Sequence, residues 1–329
     1  PLHAVHVRRL AEQMHRDDHL GFVGDTAFSI DRGFYEEPFS LSITTSTEPA
    51  EIRYTLDGST PSATSGTIYT GPISINKTSV VRAMAHRQGY RPTNIDTHTY
   101  VFADDVVRQP AMSTTITQSA TYGPQMINSL KSIPSISLVV ENPGTLNTED
   151  ERKLSVEMIF PDGTSGFQED AGVTHFGGYF TNFSKKSFRL YFRSEYGTEK
   201  LRYPVFAGSD YDLPPAQEFD SINLRSGSHD SFFWLASPGN PSNSGGPQRG
   251  DAQYLRNRWI SDMQFAMGHE SLHGRWVHVY VNGAYHGQYH LHEWPNDDFM
   301  ASYLPGPAED YEYTNSANSS KAGSDNWQA

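Results

Sequence analysis

Residue type and spacing first suggest chemistry in a histidine-bearing strand and a charged loop. His286, His290 and His292 fall at positions of one parity in the run AYHGQYHLHE. An extended strand therefore puts all three on one face, with His290 and His292 roughly 7 Å apart. That is near the reach of a single metal ion, and it is equally the polar face of a solvated strand; the spacing fixes no third ligand. In LRSGSHD, Arg225 is a candidate clamp for an anionic group with Asp230 to orient it, or else one half of an ion pair that ties the loop. Lys185 and Lys186 open the basic run SKKSFRLYF. Strand phase groups Lys186 with Phe188, Leu190 and Phe192, and Lys185 with Ser187 and Arg189; lysines here also suit a strand edge that must resist association. Asp262 is the only carboxylate within YLRNRWISDMQFAM, and Glu293 stands at the Glu-Trp-Pro break. His3, His6, His15 and His19 read as isolated histidines near the N-terminal end rather than a metal cluster.

These residues need elements to position them. Val277, Val279 and Val281 alternate with His278 and Tyr280, the period of a half-buried strand. Asn282-Gly283 tolerates the positive φ angles of a two-residue hairpin turn, and Ala284 to His292 is the return strand. Pro295 stops the ladder, and Asn296 caps a helix whose first turn carries Asp297 and Asp298. A second helix is expected over Tyr254–Met267, with Leu255, Trp259 and Met263 at helical spacing and Gly268 as its stop. SISLVV and LSVEMIF read as strands, Asp162-Gly163 as a turn, and Gly172, Gly177 and Gly178 as parts of a glycine-containing hairpin.

Upstream, short alternating runs from Ala27 to Phe102 predict a small antiparallel β-sandwich. Tyr54, Leu56, Ile73, Ile75, Val81 and Ala83 are its expected core. Asp57, Gly58, Ser59 and Pro61 form an exposed hairpin tip, open to a carbohydrate or, more simply, part of a spacer. His6 to His15 reads as an amphipathic turn of helix. The expected division is an N-terminal arm (1–25), the sandwich (26–104), a Ser/Thr/Gln-rich linker (105–131) and a second domain (132–329); the fold class is α+β, mostly β.

Bulk properties narrow the function. The formal charge is −13, which opposes nucleic acid as a main partner because phosphate binding needs concentrated Lys and Arg. With no cysteine in the chain there is no disulfide framework, thiolate metal site or cysteine nucleophile. No apolar run approaches the roughly 20 residues of a membrane span, so no membrane insertion is expected. The absence of cysteine is compatible with an exported bacterial protein, and the start at Pro1 reads as a processed or excised piece.

IRYTLDGSTPS, IYTGPI and VVRAMAHRQGY together resemble the chitobiase/hexosaminidase C-terminal type of fibronectin-like repeat. Further on, VEMIFPDG, DAGVTHFGG, SKKSFRLYFRSEYG, INLRSGSHDSF, YLRNRWISDMQFAMG and VYVNGAYHGQYHLHEWPNDDFMASYLPG follow one another as in large extracellular members of the CotH kinase family, over about residues 133–329. The resemblance implies the smaller lobe and hinge of an atypical protein kinase and the start of its larger lobe. It implies ATP with Mg²⁺ or Mn²⁺ as cofactors of the complete domain, a protein Ser/Thr phosphoacceptor or an extracellular assembly partner, and a secreted or cell-surface location.

Carried over by position, Lys185, with Lys186 as fallback, would neutralise nucleotide phosphates, Asp262 would pair that lysine, Arg225 would hold an anionic group, and Glu293 would mark the hinge. Three positions depart from the family pattern: His175-Phe176 replaces a more polar approach to the glycine pair, Asn257 an aspartate, and Trp294 an arginine. The catalytic and metal-binding aspartates lie downstream in the family and are expected to be missing here, so this chain by itself is expected to be inactive. The alternative reading is a non-catalytic structural or adhesive module on a kinase-like scaffold.

Overall fold

The computed structural model describes residues 19–148, 150–176, 185–209, 211–227, 253–311, 313–316 and 319–321. The helical turn expected over His6–His15 lies outside them, as do Asp230, Gly177 and Gly178. Among the described residues no helix is long and apolar enough to cross a membrane.

The chain is mostly β and builds two packed bodies. In the first, strands Gly33–Phe34, Asp96–Val101, Ser79–His86, Glu51–Thr55 and Thr67–Ile68 form a five-stranded sheet in that order. Two smaller pairs, Thr26–Phe28 with Ile43–Thr45 and Phe39–Leu41 with Ile73–Ile75, cover one of its faces. Leu41, Ile43, Ile73, Ile75, Val81, Ala83 and Tyr100 fill the space between, as the alternation predicts for the Ile73, Ile75, Val81 and Ala83 positions. Leu56 departs from the expectation: the strand ends at Thr55, and Leu56 is 45% exposed at the start of the turn.

The second body is a closed seven-stranded barrel. Its strands run in the order Ser135–Val139, Arg152–Ile159, Phe167–Phe176, Ser187–Tyr191, Ser221–Arg225, Ala284–Glu293, Gly274–Val281. Neighbours are antiparallel except at the seam, where Ser135–Val139 and Gly274–Val281 pair in parallel. Inward-facing Ile136, Leu138, Val156, Met158, Val173, Phe188, Leu190, Ile222, Leu224, Val277, Val279 and Leu291 make one continuous core. The hairpin turn at Asn282-Gly283 has φ of 46° and 77°, the left-handed pair a type I′ turn requires. Asn296 caps the following helix, Asp297–Tyr303, by accepting from Phe299 N at 3.0 Å.

The outer face of the five-stranded sheet lies on the barrel. On the Asp96–Val101 strand, Thr97, Thr99 and Val101 point to the barrel while Tyr100 points into the sandwich. This burial explains the polar residues at the contact. Glu157 is fully buried; its carboxylate lies 3.1 Å from Arg32 Nε and accepts from Thr99 N at 3.0 Å and from the Thr99 hydroxyl. Thr99 Oγ1 also meets Ser137 Oγ at 2.8 Å. A second contact corrects the expected exposed tip: Gly58 is buried, its carbonyl accepts from Arg82 Nη1 at 3.0 Å, and a Cβ there would fall 2.4 Å from Asn282 Nδ2. The tip is docked on the barrel's hairpin turn.

The polar segment after the sandwich folds into short helices, Ala103–Val106, Thr114–Thr117 and Met126–Leu130. Val106 and Leu130 join Val101, Ile159 and Tyr280 in a small core between the two bodies. Gln109 clamps the hairpin, donating to Gly283 O and accepting from Tyr285 N, both at 2.9 Å.

Burial raises the Glu157 carboxyl from its ordinary 4.5 to about 7, against the opposing pull of Arg32 and Thr99. A carboxyl raised on folding contributes stability that is fully present below its unfolded value and is lost as pH rises through its folded one. The denaturant midpoint should therefore fall between about pH 5 and about pH 7.5. Asp96, pushed up to about 6 by burial, adds a change of the same sign. Glu157→Gln should flatten the Glu157 part of this dependence, read as the difference between the two proteins' pH profiles; parallel profiles would refute the assignment.

Candidate functional site

Because Phe188, Leu190, Ile222, Leu224 and Leu291 point into the barrel, the residues between them point outward. Register brings these together across five strands. Thr174 lies opposite Arg189, Arg189 opposite Asn223, Asn223 opposite His292, and His292 opposite Gly274. In the next row Arg225 lies opposite His290, and His290 opposite Trp276. One further step along the same strand, Lys185 Nζ donates to Gln288 O at 2.6 Å. Arg225 and Arg189 thus follow one another along one face, about 7 Å apart along the strands, while the Lys185 side chain turns to Tyr289 and Gly287, whose parity is that of the inward-facing Leu291.

Each cation is held differently. Lys185 sits 4.4 Å from the Tyr289 ring centroid and 5.9 Å from that of Tyr254, and burial lowers its pKa to about 8. Gly287, at φ 127°, makes room for it: a Cβ there would lie 3.1 Å from Lys185 Cε. Lys186 lends its backbone carbonyl to the Tyr289 hydroxyl at 2.8 Å. The ladder begins at Ser187, opposite Phe176, so both lysines precede it and strand phase does not choose between them. With the Asn257 amide oriented by its neighbours, its oxygen accepts from Arg225 Nε and Nη2 at 2.5 and 3.0 Å. Asp230, the other residue the sequence offered beside Arg225, lies outside the described residues. The Arg189 guanidinium lies 3.4 Å from the Trp294 ring centroid and 5.3 Å from that of Phe176, and its Nε donates to Asn223 Oδ1 at 3.1 Å.

His290 and His292 stack with centroids 5.3 Å apart. Burial holds both neutral, pushing His290 down to about 2 and His292 to about 4; nearby Arg225 and Arg258 act in the same direction. His292 Nδ1 donates to Glu293 O at 2.6 Å, leaving Nε2 as an acceptor. Among the described residues no group of three His, Cys, Asp or Glu gathers to hold a metal. His286 instead packs against Phe188 and Tyr289 at the barrel end.

The two carboxylates are engaged elsewhere. Asp262 was expected to pair the lysine; on the helix Arg256–Ala266 it accepts from Arg258 Nε at 2.6 Å and from the Tyr211 hydroxyl. That helix turns its polar side, with Phe265, toward Tyr211 and His273. Trp259, Ile260 and Met263 stay exposed, against the expected apolar packing of Leu255, Trp259 and Met263. Glu293 is buried at the end of the hairpin, accepting from His273 N at 2.7 Å and from the Tyr303 hydroxyl, with His273 Nδ1 3.1 Å away. It ties the hairpin to the Asp297–Tyr303 helix. Sequence reading did not single out Arg189 and Asn223 as site residues; the alternation in SFRLY and SINLR carried that signal only once the two strands were known to be neighbours.

Glu293→Ala would leave the buried His273 amide without its acceptor and should cost about 2 kcal/mol. Glu293→Gln, which keeps an acceptor, should cost less. Urea unfolding of the two variants checks this, and equal midpoints for Glu293→Ala and the parent would remove the tethering role.

Within this geometry, residues 30–97, inside the sandwich segment, match the family described as Chitobiase/beta-hexosaminidase C-terminal domain. Residues 248–328, which include the Arg256–Ala266 helix and the hairpin, match the family described as CotH kinase protein. No curated protein matches the chain. The two matches stand in the order that the sequence motifs lead one to expect, so this chain carries a chitobiase/beta-hexosaminidase C-terminal domain match followed by a CotH kinase match.

Proposed function

We propose that this chain is part of a secreted or cell-surface bacterial CotH-like protein kinase, and that the outer face of the barrel receives the phosphates of ATP. The complete protein would transfer phosphate to Ser or Thr of a protein. The observation that supports the reading is the pair of Arg225 and Arg189 on one face beside Asn223, whose buried Nδ2 lacks a hydrogen-bond partner, with the Lys185 ammonium held on Gln288 O at the barrel end. A phosphate offers acceptor oxygens to such donors, and a lysine there acts as a compact positive charge. The match to the CotH kinase family at 248–328 points the same way.

The described residues do not fit Mg²⁺ or Mn²⁺. Asp262 is committed to Arg258 and Tyr211, and Glu293 to His273 and Tyr303. No step is therefore assigned to a metal on these residues. Their part would be binding and orientation of the nucleotide.

A second reading is a scaffold without chemistry. It is favoured by Trp294 and Phe176, which stand where the resemblance expects more polar residues and here stack on Arg189. Titration calorimetry of the whole chain with ATP and Mg²⁺ separates the two. On the kinase reading ATP binds saturably, and Lys185→Ala weakens it about tenfold, the worth of one charge-assisted hydrogen bond. Since protonated Lys185 is the binding form and burial has lowered its pKa to about 8, affinity should fall as pH rises from about 7 to about 9. No saturable ATP binding by the parent chain would leave the scaffold.

A further inference from the structure

A cleft of about 630 Å³ separates the sandwich from the barrel beside the docked Gly58 turn. The sandwich contributes Thr60, Arg82 and Thr93 to Ile95, and the barrel contributes residues from the strands Arg152–Ile159 and Phe167–Phe176 and the Tyr196–Thr198 turn. We propose that this cleft binds a neutral oligosaccharide. The proposal is independent of the nucleotide reading above, which concerns the other end of the Phe167–Phe176 strand and the strands beyond it.

The lining chemistry selects the ligand class. Charge is nearly balanced: Arg82 and Lys153 face Glu141, Glu169 and Asp170. Much of it is compensated internally, since Lys153 Nζ lies 2.8 Å from Asp170 Oδ2. Three carboxylates disfavour a phosphate or other anion. What the wall lacks is one acceptor and one donor. Arg82 is 5% exposed, with Nη1 donating to Gly58 O and Thr60 Oγ1 at 3.0 and 3.1 Å, yet its Nε has no partner. Asp170 Oδ1 is likewise buried without one. A hydroxyl both accepts and donates, so a sugar ring suits a wall on which Thr60, Asn94, Gln168 and Thr198 mix donors and acceptors.

Two more groups fit. Burial raises the Glu169 pKa, with Asp170 adding to the rise, and its carboxyl oxygens are acceptors for a sugar hydroxyl. Thr198 Oγ1 already positions the carboxyl, donating at 3.3 Å. Tyr196 presents an aromatic ring at the rim, a surface on which the C–H face of a pyranose packs. The cleft is preformed, because the Glu157 cluster and the docked Gly58 turn hold its walls together. Preformed walls reduce the ordering cost of binding.

The experiment is a glycan array of neutral oligosaccharides probed with the whole chain, followed by calorimetry with the retained glycan on the parent, Glu169→Gln and Tyr196→Ala. Retention of at least one glycan, weakened about tenfold or more in both variants without a change in thermal unfolding, is the expected result. Parallel titrations with inorganic phosphate and with glutamate should show no binding that Glu169→Gln or Tyr196→Ala alters. An array without a retained glycan, unchanged affinity in both variants, or binding of phosphate or glutamate at the cleft would overturn the proposal.

Discussion

The parallel pairing of Ser135–Val139 with Gly274–Val281 closes the barrel, and the arrangement of everything else follows from that seam. It joins residues separated by more than a hundred positions and leaves the barrel no free strand edge. Parallel strands are stable when both faces are covered. Inside, Ile136 and Leu138 meet Val277 and Val279; outside, Ser135, Ser137 and the neighbouring Glu157 are sealed by the sandwich. The first body thus does more than space the second from what precedes it. It covers the seam.

That cover brings charge into a dry interface. Glu157 can be buried there because Arg32, Thr99 and Ser137 converge on it from both bodies. Burying an ion pair stabilises little by itself, since desolvation offsets the attraction, but removing one partner costs a great deal. Such a contact fixes orientation more than it adds stability. The docked Gly58 turn and the Gln109 clamp act in the same sense by hydrogen bonding to the hairpin turn or packing against it. The relative placement of sandwich and barrel, and with it the cleft between them, is set by these polar contacts.

On the far strands of the barrel the same economy separates cations from carboxylates. Arg189 and Arg225 occupy the outward face and Lys185 the barrel end, whereas Asp262 and Glu293 are taken up by Arg258, Tyr211, His273 and Tyr303. The positions at which the chain departs from the CotH pattern are not scattered. Phe176 and Trp294 both stack on Arg189, and Asn257 meets Arg225. A departure at one is therefore coupled physically to the site's own cations.

Local features of this protein were determined by sequence alone. The Asn282-Gly283 turn, the Asn296 cap, the Gly268 stop and the alternating sandwich core depend on residues within a few positions of one another, where φ preferences and side-chain reach leave few options. The two family motifs were likewise legible as ordered strings. Tertiary structure alone decided which strands are neighbours, and so placed Arg189 beside Asn223, gave Asp262 to Arg258 instead of Lys185, turned the Arg256–Ala266 helix polar side inward and buried the Gly58 tip. Period-two and period-3.6 patterns say which side chains share a face; they carry no information about what that face meets, because pairing between distant segments is settled by the closure of the whole sheet.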